Sequence, residues 1–340
     1  MKIATVTYHD GINYGAYWQA SCLANFLKSL GHDVSIVDYK PGTLKSNELK
    51  TLFFTKRINL LVKNYIKLIK FRNYQKKNFK LLAVDKLSDT DIETLVFGAD
   101  EIWNFTNPLI GLDLVFFGKI GTKYQKKIAY APSFGTVEQN KELPSEVINA
   151  LSEFEHITTR DSNSESIISK NLGKQSNIVC DPVFLYDIPK VRLDKYKDTI
   201  VIYSTGLPEK FVRKIVEYAK DRNFKVIAIG YRIPGIKSII ALSPSEFIDI
   251  FASCKMVVTS MFHGVMFSLK FNKQFLIYED LYRKNKLETV VNRLDLHDRF
   301  VDEETVTDKL PQRLDYKCLN SELNYWISES QNKLKEMLEC

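Results

Sequence analysis

The sequence offers chemistry at a few loop positions that directly follow apolar, strand-like runs. His263 comes after Met256-Val257-Val258-Thr259-Ser260 and before a helical pattern that starts at Val265, so it stands on a loop at a strand's carboxyl end. Its ordinary pKa near neutrality suits a group that must donate and recover a proton. A hydrogen-bonded structural histidine is the competing reading. Arg160 follows the short strand 156–159, where a guanidinium can grip a carboxylate or phosphate with two donors, or pair with Asp161 or another neighbour at the surface. Gly264 and the N–H groups of a helix start suit phosphate, or form a plain turn. Ser260 can offer a hydroxyl to a ligand or cap the helix.

A second group lies in the first half of the chain. Asn13, Tyr14 and Gly15 form the first loop, and a glycine at a helix start permits close approach of a ligand. The loop is not G-x-G-x-x-G, which argues against a dinucleotide. The loop is a candidate for binding a ligand, with His9 a lesser candidate. Asp100, Trp103 and Asn104 combine an aromatic face with polar groups, which suits a sugar ring; a lone tryptophan also suits a core. Asp181 before Pro182 reads as a turn former. The five cysteines (Cys22, Cys180, Cys254, Cys318 and Cys340) are scattered and form no C-x-x-C pair or Cys/His cluster, so free thiols and no metal are expected.

The elements that must carry these residues alternate. A strand over 2–8, a helix from Ala16 closed at Gly31, and a strand over 34–39 make a βαβ unit, which a parallel pair requires. Buried strands recur at 94–98, 127–131, 156–159 and 177–180. A charged, proline-containing stretch over 187–197 reads as a linker. Beyond it the alternation restarts, with strands at 200–204, 225–230, 256–260 and 275–278. Ser243, Pro244 and Glu246 form a capping box. The tail over 321–338 is an amphipathic helix. The sequence therefore predicts an α/β protein with two Rossmann-like domains facing a cleft, 1–187 and 188–340, and ligands at the carboxyl ends of the strands.

Residues 43–90 interrupt the alternation. Ile58, Leu61, Val62, Tyr65, Ile66 and Ile69 form one apolar stripe, expected to pack into a core, with a membrane or acceptor surface as the other reading. From Lys45 to Lys86 the acidic residues are only Glu48 and Asp85, in a 340-residue chain of formal charge +7. A solvated helix face, attraction to an anionic membrane or lipid-phosphate substrate, and nucleic acid compete to explain this; no nucleic-acid motif accompanies the charge. No apolar run is long enough to span a bilayer, and residues 1–8 read as a strand and not as a leader, so a cytoplasmic protein is expected, with peripheral contact at the inner membrane face.

Taken in order, the loop motifs resemble the polysaccharide pyruvyl transferase family. The pieces are His9-Asp10-Gly11-Ile12-Asn13-Tyr14-Gly15-Ala16 with Gln19-Ala20, Phe97-Gly98-Ala99-Asp100-Glu101-Ile102-Trp103-Asn104, and Ala129-Tyr130-Ala131-Pro132-Ser133-Phe134-Gly135. Thr159-Arg160-Asp161, Asp181-Pro182-Val183-Phe184-Leu185, Leu242-Ser243-Pro244-Ser245-Glu246-Phe247 and Thr259-Ser260-Met261-Phe262-His263-Gly264 follow. Ala99 and Glu101 stand where the family usually shows serine and glutamine, and Met261 where a serine is common. These departures bear on acceptor choice more than on reaction type.

The resemblance implies a glycosyltransferase-B-like fold and transfer of pyruvate from phosphoenolpyruvate to a sugar of a bacterial surface polysaccharide or its lipid-linked precursor, as a ketal. It implies catalytic roles for His263 and Arg160, donor binding by Ser260, Phe262, Gly264 and Ser243, and acceptor binding by Asn13, Tyr14, Gly15, Asp100, Trp103, Asn104 and Ser133. No cofactor or metal is expected beyond the donor substrate. The alternatives are a glycosyltransferase using a nucleotide sugar and a non-catalytic component of a polysaccharide assembly complex. Oligomeric state is not readable from the sequence.

Overall fold

The computed structural model describes residues 1–120, 125–279 and 281–339, without the side chains of 43–45 and 281–285. In the first half β1 (Lys2–Val6), α1 (Tyr14–Ser29) and β2 (Asp33–Val37) form the opening crossover unit. Two helices follow, α2 (Gly42–Phe53) and α3 (Ile58–Asn78), then β3 (Leu81–Leu82), β4 (Thr94–Phe97), β5 (Lys126–Ala129), α4 (Ser145–Ser152), β6 (His156–Thr159), α5 (Ser162–Leu172) and β7 (Asn177–Ile178). The second half runs β8 (Thr199–Tyr203), α6 (Glu209–Lys220), β9 (Lys225–Ile229), β10 (Lys237–Ile239), α7 (Pro244–Ser253), β11 (Met256–Thr259), α8 (Phe262–Lys270) and β12 (Gln274–Tyr278). It closes with α9 (Leu281–Leu294), β13 (Phe300–Val301), α10 (Val306–Lys309) and α11 (Tyr316–Glu339).

These strands build two sheets, β3-β2-β1-β4-β5-β6-β7 and β10-β9-β8-β11-β12-β13. Every adjacent pair is parallel. Strands buried on both faces carry continuous apolar runs, which is why β4, β8 and β11 read so plainly: all their residues are buried. The expected strands overran these by one residue at the carboxyl end, because the residue after each is also buried. The edge strands β3, β10 and β13 span two or three residues, too few to show a pattern.

The chain divides into two compact units, Met1–Thr51 with Gln75–Asp187 and Leu323–Cys340, and Leu52–Tyr74 with Ile188–Glu322. This differs from two consecutive segments in two places. The end of the chain joins the first unit, where Ser330 Oγ accepts from the Cys180 N–H at 2.9 Å and Gln331 Nε2 donates to the Leu185 carbonyl at 3.1 Å. The segment Leu52–Tyr74 joins the second unit, anchored by Lys67, whose Nζ donates to the Gly230 carbonyl at 3.1 Å and lies 5.0 Å from the centre of the Tyr231 ring. An amphipathic segment records that it needs a partner surface and not which one.

The first core packs Phe97, Trp103, Phe117, Phe134 and Phe154 around β4 and β5; the second packs Ile200, Ile202, Phe211, Ile215, Val258 and Leu276. No described helix is long and apolar enough to cross a membrane. One backbone approach fixes the first sheet's crowded end. Gly98 has φ +121°, and a Cβ there would lie 2.0 Å from the Tyr130 carbonyl oxygen. Gly98→Ala must therefore move β4 against β5. We expect a loss of about 3 kcal/mol or more, read as a fall in Tm of roughly 6 °C or more in thermal denaturation.

Candidate functional site

Each sheet reverses its direction of winding once. In the second unit the chain lays down β8, β9 and β10 to one side and β11, β12 and β13 to the other, so the switch lies between β8 and β11. Ligands in open parallel sheets bind outside the carboxyl ends at such a point. The residues immediately after these two strands are Ser204 and Ser260, both buried, with hydroxyl oxygens 2.5 Å apart. Helix α8 starts beside them. Its N-cap, Met261, has no side chain that can cap, so the helix begins with its positive end uncovered by a capping side chain.

His263 sits in the first turn of α8, 9% exposed, edge-on to the Phe262 ring at 5.2 Å and tilted against Phe267 at 6.1 Å. The turn is held against β11 by a contact only glycine allows. A Cβ on Gly264 would lie 2.1 Å from Thr259 Oγ1, and that hydroxyl is itself fixed, donating to the Tyr203 carbonyl at 2.6 Å and accepting from the Met261 N–H at 3.0 Å. Gly264 thus serves close helix–strand packing, and through it the placement of His263. Ser243 is spent on the predicted capping box: its hydroxyl accepts from the Glu246 N–H at 3.2 Å while Glu246 accepts from the Ser243 N–H at 2.8 Å. Lys70 clasps that same carboxylate at 2.9 Å.

In the first unit the switch lies between β1 and β4. Gln19 ties the two strand ends together, donating to Thr7 Oγ1 at 2.9 Å and accepting from the Ala99 N–H at 3.1 Å. Beyond β4 stands Asp100, partly exposed, whose carbonyl accepts from the Ser133 N–H at 2.8 Å. Asn13 is exposed and is the N-cap of α1, accepting from the Gly15 and Ala16 N–H groups at 2.8 and 3.3 Å. Tyr14 and Gly15 are buried in the helix's first turn.

The structure corrects several sequence expectations here. Trp103 cannot stack on a sugar: it is fully buried among Phe117, Phe134 and Phe154, and its indole N–H donates to the Phe116 carbonyl at 3.0 Å. Tyr14 is likewise enclosed. Asn104 and Ser133 are buried and turned to internal partners, Glu101 at 3.0 Å and the Gly135 N–H at 2.9 Å.

Arg160 is not an open anion clamp. Its guanidinium is 3% exposed, with Nη1 2.9 Å from Asp181 Oδ2 and Nη2 3.8 Å from Asp100 Oδ1. Burial works against its charge, but Asp181 first, then Asp100 and Asp161, outweigh it and hold its pKa above the ordinary arginine value. Asp181, read as a turn former, does cap the following turn by accepting from the Val183 N–H at 3.0 Å; it is also the carboxylate that neutralises Arg160. Asp161, the suspected partner, instead caps α5 through the Ser164 N–H at 2.8 Å. Arg160 therefore binds the ends of β4, β6 and β7 into one rim.

One residue escaped the sequence reading, and one lesser candidate takes a part that reading did not give it. Ser204 carries the same signal as Ser260, a small polar residue directly after a buried strand. His9 is buried and pins the ends of β1 and β2, with Nε2 3.0 Å from Asp38 Oδ1 and Nδ1 3.4 Å from the Thr7 carbonyl. The His9 hydrogen bond first, then Lys40, hold the Asp38 carboxyl down at about 2. Beside this pair Tyr8, Asp10, Tyr39 and Glu48 enclose a recess of about 10 Å³, room for a water and no more. Among the described residues no cluster of His, Cys, Asp and Glu could hold a metal ion.

Two measurements test these contacts. Removing one partner of a buried ion pair strands the other, so Arg160→Leu and Asp181→Leu should each cost about 3–5 kcal/mol in denaturant unfolding. The double variant should cost about 1–3 kcal/mol less than their sum, and additive losses would mean that the pair is not coupled. Asp38 is depressed in the folded state, so its contribution is complete above its unfolded value of 3.8 and disappears as pH falls through about 2. Wild type should exceed Asp38→Asn in stability at pH 5, by about 1 kcal/mol or less because the carboxylate is partly exposed, and the margin should close as pH falls toward 2.

A family model described as polysaccharide pyruvyl transferase matches residues 13–279. No curated protein matches the chain. Among solved structures it is similar to a UDP-GlcNAc 2-epimerase from Neisseria meningitidis bound to UDP-GlcNAc, at TM-score 0.55 and 12% identity over 99% of both chains. It is similar to a putative UDP-N-acetylglucosamine 2-epimerase from Listeria monocytogenes, at TM-score 0.56 and 10% identity over 99% of this chain and 95% of that one. A third is Arabidopsis thaliana UGT89C1 complexed with quercetin, at TM-score 0.54 and 11% identity over 99% of both chains. At such identities the likeness is one of fold: two Rossmann-like domains of the glycosyltransferase-B kind.

Proposed function

We propose that this chain, which belongs to the polysaccharide pyruvyl transferase family, moves pyruvate from phosphoenolpyruvate to a sugar of a bacterial surface polysaccharide or its lipid-linked precursor and forms a pyruvate ketal. The observation that supports the reading best is the group at the second sheet's switch point: His263 in the first turn of α8, beside the paired hydroxyls of Ser204 and Ser260.

Phosphoenolpyruvate needs donors for two anionic groups and an acid for its methylene carbon. The start of α8 supplies N–H groups and the positive end of a helix dipole for phosphate, and the serine hydroxyls can donate to either anion. His263 is the proposed acid. It gives a proton to the methylene carbon, which becomes a methyl group, while a sugar hydroxyl attacks the cationic C2. The C2–O bond to phosphate breaks, and a second hydroxyl of the same sugar closes the ketal. One hydroxyl proton restores His263 and the other leaves with phosphate, so the histidine ends as it began.

On the acceptor side we propose Asp100 and Asn13, the two of the expected residues that remain accessible at the first sheet's switch point. Arg160 acts on Asp100 through position, since Asp100 lies 3.8 Å from its guanidinium. With phosphoenolpyruvate as the donor, the cytoplasm is the proposed location of the reaction.

Thermal stabilisation tests the donor. A ligand that binds only the folded state adds about 2.7 kcal/mol at a hundred times its Kd. Phosphoenolpyruvate should raise the Tm of wild type with concentration, and nucleotide sugars should not. His263→Ala should keep most of that stabilisation while phosphate release with a glycan acceptor falls roughly 10²–10⁴-fold. Stabilisation by nucleotide sugars with none by phosphoenolpyruvate would overturn the reading in favour of glycosyl transfer.

A further inference from the structure

Helix α3 presents the wrong face to its own protein. Its apolar stripe was expected to pack inward, yet Ile58, Val62, Tyr65, Ile66 and Ile69 are 40–77% exposed, and Phe54 just before the helix is 93% exposed. Polar groups are buried instead. Lys67 is 2% exposed and bound to the Gly230 carbonyl, and Asn64 donates to the Leu52 carbonyl. Phe71, fully buried, lies on that same inward side, so the helix packs through Asn64, Lys67 and Phe71 while the apolar stripe is left outward.

That outward face has a definite chemistry. At about 100° per residue the five apolar side chains fall within an arc of about 100°. Basic residues bracket it at both ends, Lys56 and Arg57 before it and Lys76 and Lys77 after it, with Lys63 along one edge; all five are exposed. Residues 52–78 contain no acidic residue. None of these five cations forms an ion pair with a described residue. Beside Lys63 a recess of about 170 Å³, lined also by Asn59 and Arg232, adds a further exposed cation. An apolar band with unpaired cations at its ends and edge complements one surface above others: the interface of an anionic bilayer, where apolar side chains enter the headgroup boundary and cations meet lipid phosphates.

We propose that this face of α3 docks the protein on anionic phospholipid. The inference does not rest on the pyruvyl-transfer reading, and its test reads no catalysis. The full chain is sedimented with vesicles of phosphatidylcholine containing one third phosphatidylglycerol, and with vesicles of phosphatidylcholine alone. Wild type should pellet with the former, stay in the supernatant with the latter, and be released as salt rises. The triple variant Lys56→Glu, Lys63→Glu, Lys76→Glu should lose roughly a hundredfold in affinity, about fivefold or more per cation. Val62→Ser, Ile66→Ser, Ile69→Ser should abolish pelleting; these side chains are exposed, so Tm should hold. Tyr65→Trp gives a second readout, since Trp18, Trp103 and Trp326 are buried: its emission should shift blue only with anionic vesicles. Failure of wild type to pellet, equal pelleting of the variants, or an unshifted emission from the Tyr65→Trp variant would overturn the proposal. So would a dimer in lipid-free solution that the serine variant dissociates, because the face would then belong to a second copy.

Discussion

A parallel sheet is covered on both faces by the crossover helices that connect its strands. Apolar side chains must therefore fill both faces, and polar chemistry is pushed to the strand ends. Both sheets of this protein obey the constraint to an unusual depth, because even the residues past the strands are largely buried: Thr7, Ser133, Arg160, Asp181, Ser204 and Ser260 all lie out of solvent. Buried polar groups at such places must be paired. Gln19 bridges β1 and β4, Asp181 neutralises Arg160, and Thr259 locks β11 to β8. The rims are held by hydrogen bonds and charge, and what remains for a ligand is the small remainder that this scaffolding does not consume.

That division explains what the sequence disclosed. The apolar runs of β4, β8 and β11 and the capping box at Ser243 were plain, since each depends on neighbours a few residues away. The resemblance of the loop motifs also pointed to the right family. It did not say which motif residues face a ligand. Trp103, Asn104 and Ser133 belong to the recognisable pattern and serve the interior, and Arg160 serves its own carboxylates. A motif records that a residue is required, and packing a rim requires residues as strictly as binding does. The partner of Arg160 lies 21 positions along the chain, and Ser204 lies 56 from Ser260; neither separation leaves a local trace.

Helix α3 failed for a different reason. Amphipathicity assigns the apolar side inward when the only alternative is water. Here Phe71 is buried on the same side as Lys67, which finds a carbonyl and an aromatic ring, and Asn64, which finds a carbonyl, so this mixed side can be buried at modest cost. Periodicity identified the helix correctly and left its rotation undetermined.

The return of Leu323–Cys340 to the first unit has a consequence for biosynthesis. Residues 1–187 leave the ribosome before Ser330 and Gln331, which bond Cys180 and Leu185, exist, and those two are translated only after all of 188–322. At roughly 5–20 residues per second the first domain waits many seconds without its last cover, while the second domain, already holding Leu52–Tyr74, can be completed. The usual amino-terminal-first order of maturation is thereby inverted, and a nascent or truncated chain would offer the bare Cys180 edge to chaperones instead of a finished domain.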